Sequence, residues 1–258
     1  MVSLRDSELS SFINHECIQI EMTDATSLLN LLGGYLFVVF LPLLVLYVVY
    51  LILSRAFHEM GFSSWEAVVI VFVSFLLGSG LADGVAGIRF SNITLFTYHT
   101  YWLVGVNVGG ALIPLALSVY LIMKNKLRVV LVLVGIVLVA AITYLVTYPD
   151  PTQGIVAEFP YWLIPVLGAS LLSVVFAKGM ERKAAPFAYT IGTLGVLIGA
   201  DLLHLFGLLS FPVRTSTNAV IGGASVFDMV FITGVLAVFL DSLFLYRRKR
   251  SKKESESA

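Results

Sequence analysis

Hydrophobic residues in this chain form long unbroken runs, with neither the period of two of a half-buried strand nor the one-sided 3.6 period of a soluble helix. Seven runs stand out: 32–54, 66–88, 101–123, 127–147, 159–178, 186–210 and 219–245. Each reaches about the 20 residues a helix needs to cross a bilayer. In hydrocarbon only helices and closed barrels satisfy the backbone, and runs of this length do not suit barrel strands. The pattern predicts an all-α, polytopic membrane protein with about seven transmembrane helices.

Composition agrees with the pattern. Of 258 residues, 59% are hydrophobic and 12% charged, and the mean hydropathy is +0.95, which excludes an ordinary soluble domain. The formal net charge is zero, so nothing points to nucleic acid as a partner. The placement of charge says more. With seven spans, Arg55, Lys124, Lys126, Arg128, Lys178, Arg182, Lys183 and the run Arg247-Arg248-Lys249-Arg250 fall on one side. The other side carries Asp6, Glu8, Glu16, Glu21 and Asp24, the stretch 150–158, which has no basic residue, and only Arg89 and Arg214 near its spans. The positive-inside rule puts the N-terminus outside and the C-terminus in the cytoplasm. Tyr98, Tyr101, Trp102, Tyr144, Tyr148, Tyr161 and Trp162 all map to the outer boundary, where amphipathic rings settle.

The chain then divides into an extracytoplasmic N-terminal segment at 1–31, a seven-helix transmembrane domain at 32–246 and a basic, disordered cytoplasmic tail at 247–258. The start lacks the basic stretch followed at once by an apolar core that a signal peptide needs. The one cysteine, Cys17, excludes an internal disulfide and a cysteine metal cluster. No metal motif is recognisable, and neither metal nor cofactor is expected.

Polar residues inside the runs are costly and mark candidate chemistry. Asp201 and Asp228 lie symmetrically about the polar connection Pro212-Val213-Arg214-Thr215-Ser216. On adjacent antiparallel helices they share one depth and can face each other. Asp83, Asn107 and His204 fall in the same outer half, His204 one turn after Asp201. Asp241 lies near the cytoplasmic end, beside the basic run, and reads as an interfacial ion-pair partner. Gly192, Gly195 and Gly199, three and four apart, form a small-residue face for close helix packing. Gly109-Gly110 and Gly222-Gly223 interrupt their runs.

Several blocks resemble a known family. They are Asn107-Val108-Gly109-Gly110-Ala111-Leu112-Ile113-Pro114, Ala184-Ala185-Pro186-Phe187-Ala188-Tyr189, the stretch from Gly192 to Leu202 and the stretch from Ile221 to Asp228. Together they resemble an uncharacterised membrane family of bacteria and archaea known as domain of unknown function 1614. That resemblance implies a multi-pass protein of a prokaryotic cell membrane and supplies no activity. A looser likeness is to presenilin-type intramembrane aspartyl proteases. Phe227-Asp228 and Gly199-Ala200-Asp201 are similar to their two aspartate motifs, in reversed order and with one glycine missing.

Two functions follow. In the first, Asp201 and Asp228 are the catalytic pair of an intramembrane aspartyl hydrolase acting on a transmembrane peptide, because two close carboxylates share a proton and can serve as acid and base. Asp83, Asn107, His204, Gly199, Gly222 and Gly223 are then the substrate-binding candidates. The alternative is a proton- or cation-coupled transporter or channel. There the same aspartates bind a small cation, and the Gly-Gly steps mark broken helices whose freed backbone lines the site. The bilayer is the expected partner in both.

Overall fold

The computed structural model describes residues 34–84, 90–99, 101–178, 180–223 and 228–256. The expected N-terminal segment at 1–31, with Cys17 and its acidic residues, lies outside them. The chain divides into two units, 1–51 and 52–258. The first contributes the opening part of α1 (Gly34–Glu59), where even the large side chains from Tyr35 to Phe40 are 58–69% exposed.

The second unit is mostly helical: α2 (Ser64–Gly78), α3 (Ile113–Asn125), α4 (Val129–Val146), α5 (Leu163–Phe176), α6 (Ala184–Val196), α7 (Leu203–Leu209) and α8 (Met229–Glu256). Four helical stretches are long and apolar enough to cross a membrane: Gly34–Glu59, Val108–Asn125, Val129–Val146 and Ala184–Leu209. Three shorter apolar helices are Ser64–Gly78, Leu163–Phe176 and Met229–Phe244. The chain is an integral membrane protein.

Local sequence sets the helix ends. Ser63 and Glu66 form a capping box that starts α2: Glu66 N–H donates to Ser63 Oγ at 3.3 Å, and Ser63 N–H donates to Glu66 Oε2 at 2.7 Å. Pro114 sits in the first turn of α3, where its missing N–H is no loss. α6 is the central helix. Every residue in it but Leu194 is buried, and α3, α4, α5 and α8 pack around it. α4 shows the outer layer. Val132, Gly135, Ile136, Val139, Ala140 and Thr143 face inward at helical spacing, while Val130 and Val137, at 72% and 66% exposed, face out. Apolar residues on both faces suit a helix with protein on one side and lipid on the other.

The structure adds elements that the runs conceal. β1 (Asn92–Tyr98), β2 (Trp102–Asn107) and β5 (Thr217–Ile221) form a sheet in the order β1-β2-β5. β1 and β2 pair antiparallel, with Tyr98 opposite Trp102. β2 and β5 pair parallel, with Val106 opposite Ile221. A small hairpin joins β3 (Tyr148–Asp150) to β4 (Gly154–Val156). The spans expected at 101–123 and 219–245 therefore begin as strands, and the one expected at 66–88 ends as a helix at Gly78. Ser79-Gly80 turns the chain there, with Gly80 at φ +79°. At the other end, α8 continues to Glu256, so the basic residues expected in a disordered tail prolong a helix.

Basic connections gather at the end of the bundle away from the sheet. Lys124 Nζ donates to Gly61 O at 3.2 Å, Lys183 Nζ to Lys126 O at 3.3 Å and Arg55 Nε to Ser242 Oγ at 3.2 Å.

Candidate functional site

Two π-helical segments frame the site. Val108–Leu112 links β2 to α3, and Leu197–Leu202 links α6 to α7. Each widens the helix by closing an i to i+5 bond, from Ile113 N–H to Val108 O and from Leu203 N–H to Ile198 O. Such bulges recur at functional sites. Asp201 lies in the second of them and is 9% exposed.

Its carboxylate is held by the strand-to-helix turn that follows β5. Gly222 N–H donates to Asp201 Oδ2 at 2.8 Å. Gly222 has φ +70°, and a Cβ on it would lie 2.7 Å from Ala111 Cβ, Ala111 N and Gly110 C. Glycine is therefore required twice over, by conformation and by the close approach of the first π segment.

Asp228 is not mid-helix, as the run implied. It caps α8: Val230 N–H donates to Asp228 Oδ1 at 2.8 Å, and Ile232 N–H donates to Asp228 O at 3.0 Å. A carboxylate is favoured there by the unpaired amides and the helix dipole. Asp228 also lies near enough for its charge to act on Asp201.

Both aspartates line one cleft of about 340 Å³. Its other walls are the hairpin from Pro151 to Ile155, Trp102, Leu208, Gly223 and β5 from Thr217 to Val220. Four consecutive residues of β5 line the cleft, and among the described strands β5 pairs only with β2. Trp102 is fixed behind it, 2% exposed, with Nε1 donating to Phe211 O at 3.2 Å. Asp150 ties the hairpin turn. The Thr152 hydroxyl, then the Gln153 and Thr152 amides, bond to its carboxylate and hold it below the usual carboxylate range.

The remaining candidates go elsewhere. His204 turns to α4, where its Nε2 meets Tyr144 O at 3.2 Å and its ring stacks on Tyr144 at 4.4 Å. Gly199 packs against α4, where a Cβ would strike Ala140 O. Asp83 lies in the turn after α2 and accepts the N–H groups of Phe90 and Ser91 at 2.7 and 2.8 Å. It lines a second cleft, of about 170 Å³, with Asn92, Asn218 and Val220 among its neighbours. Asp241, expected in an interfacial ion pair, is fully buried instead.

Asn107 is 1% exposed and spends its side chain on the fold. Its Nδ2 donates to Gly78 O at 2.9 Å and Asn92 Oδ1 at 3.0 Å, and its Oδ1 accepts from Gly110 N–H at 2.8 Å. Asn107→Ala leaves the Gly78 carbonyl and the Gly110 amide without this partner. It is expected to cost about 2–4 kcal/mol in a denaturant titration of the detergent-solubilised protein.

Residues 82–240 match the family described as "Protein of unknown function (DUF1614)". The chain belongs to this family. The DUF1614 region holds both π segments, the sheet, the hairpin and both aspartates of the cleft. No curated protein and no solved structure gives a significant match. The likeness to presenilin-type proteases is not shown by these comparisons.

Proposed function

We propose that this protein is a membrane-embedded aspartyl hydrolase that cuts peptide in the cleft shared by Asp201 and Asp228. The observation that carries this reading is the convergence of the two carboxylates on one cleft lined by β5, an edge strand of its sheet. One carboxylate takes a proton from a water molecule as that water attacks the scissile carbonyl. The other gives a proton to the carbonyl oxygen, and when the tetrahedral intermediate collapses the C–N bond breaks and the first carboxyl returns its proton to the leaving amine. The edge of β5 offers backbone groups to an extended chain, which binds by adding a strand. About 340 Å³ is within the range of ligand-sized clefts.

In this reading the seven apolar helices are seven crossings of a prokaryotic cell membrane. The basic connections gathered at one end face the cytoplasm, and the sheet, hairpin and cleft face outward. Asp201 and Asp228 then sit at the outer margin, where water reaches them and an unfolded stretch of a membrane peptide can enter.

The test uses the full chain in proteoliposomes with a panel of single-span peptides, and mass spectrometry reads new peptide ends. The wild type is expected to yield discrete products that Asp201→Asn does not. If no peptide is cut and the vesicles instead pass protons or small cations in an Asp201-dependent way, the coupled-transport reading replaces this one.

A further inference from the structure

The mechanism leaves one buried carboxylate unused. Asp241 is 0% exposed, and neither of its oxygens has a hydrogen-bond partner among the described residues. Ser173 lies beside it on α5, but the Ser173 hydroxyl gives its hydrogen to Ser170 O at 2.9 Å. Ser170 is one turn earlier on the same buried face of α5, and its own Oγ has no partner.

Further buried hydroxyls lie nearer the start of α8. Thr193 Oγ1 and the Tyr189 ring on α6 face Gly234 of α8, and the Thr233 methyl faces Gly192. The Thr233 Oγ1 is buried and has no partner among the described residues. Thr233 and Asp241 are two helical turns apart, about 12 Å along α8.

A buried carboxylate requires a compensating charge, and buried hydroxyls require partners. Glu59 adds negative charge nearby, and Arg55 is bonded to Ser242. We propose that Asp241, Ser170 and Ser173 form a binding site for a monovalent metal cation between α5 and α8. One carboxylate matches one positive charge, whereas a divalent ion would leave a buried excess. Carboxylate and hydroxyl oxygens are hard ligands, which suit an alkali ion. A proton would neutralise the carboxylate yet leave the Ser170 hydroxyl without a partner, while a cation satisfies both. The site is independent of the hydrolase reading.

The test measures thermal unfolding of the purified full chain in detergent. Sodium, lithium or potassium chloride is titrated at constant ionic strength with choline chloride, and the pH is varied separately. One alkali ion is expected to raise the midpoint progressively with its concentration. Asp241→Asn is expected to abolish that response, and Ser173→Ala to weaken the apparent affinity about tenfold. If Asp241→Asn does not fold, the shift in Ser173→Ala and Ser170→Ala decides. A midpoint indifferent to every alkali ion, one that follows pH alone, or an ion response unchanged in the serine variants overturns the proposal. Peptide cleavage is not read in this experiment, so its outcome leaves the hydrolase reading untouched.

Discussion

Gly222→Ala is expected to destabilise the protein by about 2–5 kcal/mol and to remove activity from whatever still folds. Two costs combine. A left-handed backbone is unfavourable for alanine by about 1–2 kcal/mol. A new methyl forced into packed surroundings costs about 1–3 kcal/mol more. The atoms 2.7 Å from the added Cβ include backbone of Gly110 and Ala111, which cannot swing aside as a long side chain can. The functional loss has its own cause, since the Gly222 amide is what holds Asp201 Oδ2. Moving the turn to relieve the clash moves the carboxylate. Gly223→Ala is the control: it has no positive φ, and its added Cβ comes no nearer than 3.0 Å, to Val220 O. Denaturant unfolding in mild detergent, followed by tryptophan fluorescence, should separate the two variants clearly. Equal stabilities would mean that the turn does not pack on the first π segment as described.

The helical frame was readable in the sequence because a bilayer-length apolar run has few other solutions. All seven runs contain an apolar helix. The strands were hidden by the same feature. Trp102–Asn107 is nearly all apolar and leads through the first π segment into α3, and Thr217–Ile221 overlaps the start of the run that ends in α8. A short buried strand joined to a helix has no period of its own to betray it. The signal that was present lay in Gly109-Gly110 and Gly222-Gly223. Each pair begins within two residues of a strand end, where two backbones come together. A Cβ on Gly109 would collide with Ser74 O of α2, and one on Gly222 with the π segment.

The site was legible in part for a related reason. Symmetry about the 212–216 connection brings Asp201 and Asp228 to one level, and the structure brings both to one cleft. It does so differently from two facing helices. One aspartate comes from a π segment and the other from a helix cap. Helical spacing placed His204 on a face similar to that of Asp201, but the wider turn at Leu197–Leu202 changes the register, and His204 meets Tyr144. The cleft walls went unrecognised because each is ordinary alone. The hairpin reads as the turn Asp150-Pro151-Thr152-Gln153-Gly154, and β5 as the opening of a span.

Asp201→Asn and Asp228→Asn are each expected to lower peptide cleavage by about 10²–10⁴-fold, the usual contribution of a positioned acid or base. The double variant is expected to be no slower than either single one, because a pair that works as a unit is already disabled by the first loss. Asparagine is the informative substitution. Its amide oxygen can still accept from Gly222 N–H at position 201 and from Val230 N–H at position 228. It also caps a helix about as well as aspartate does. The Asn variants should therefore unfold near the wild-type midpoint while losing turnover. Asp228→Ala should lose turnover and, with the cap of α8 gone, about 1 kcal/mol of stability as well. Measuring kcat/KM and unfolding on the same four preparations separates chemistry from architecture. Losses that multiply in the double variant would mean that the carboxylates act separately, as two cation ligands do. Losses of folded protein that track the losses of turnover would mean that both aspartates serve only to hold β5 and α8 against the π segments.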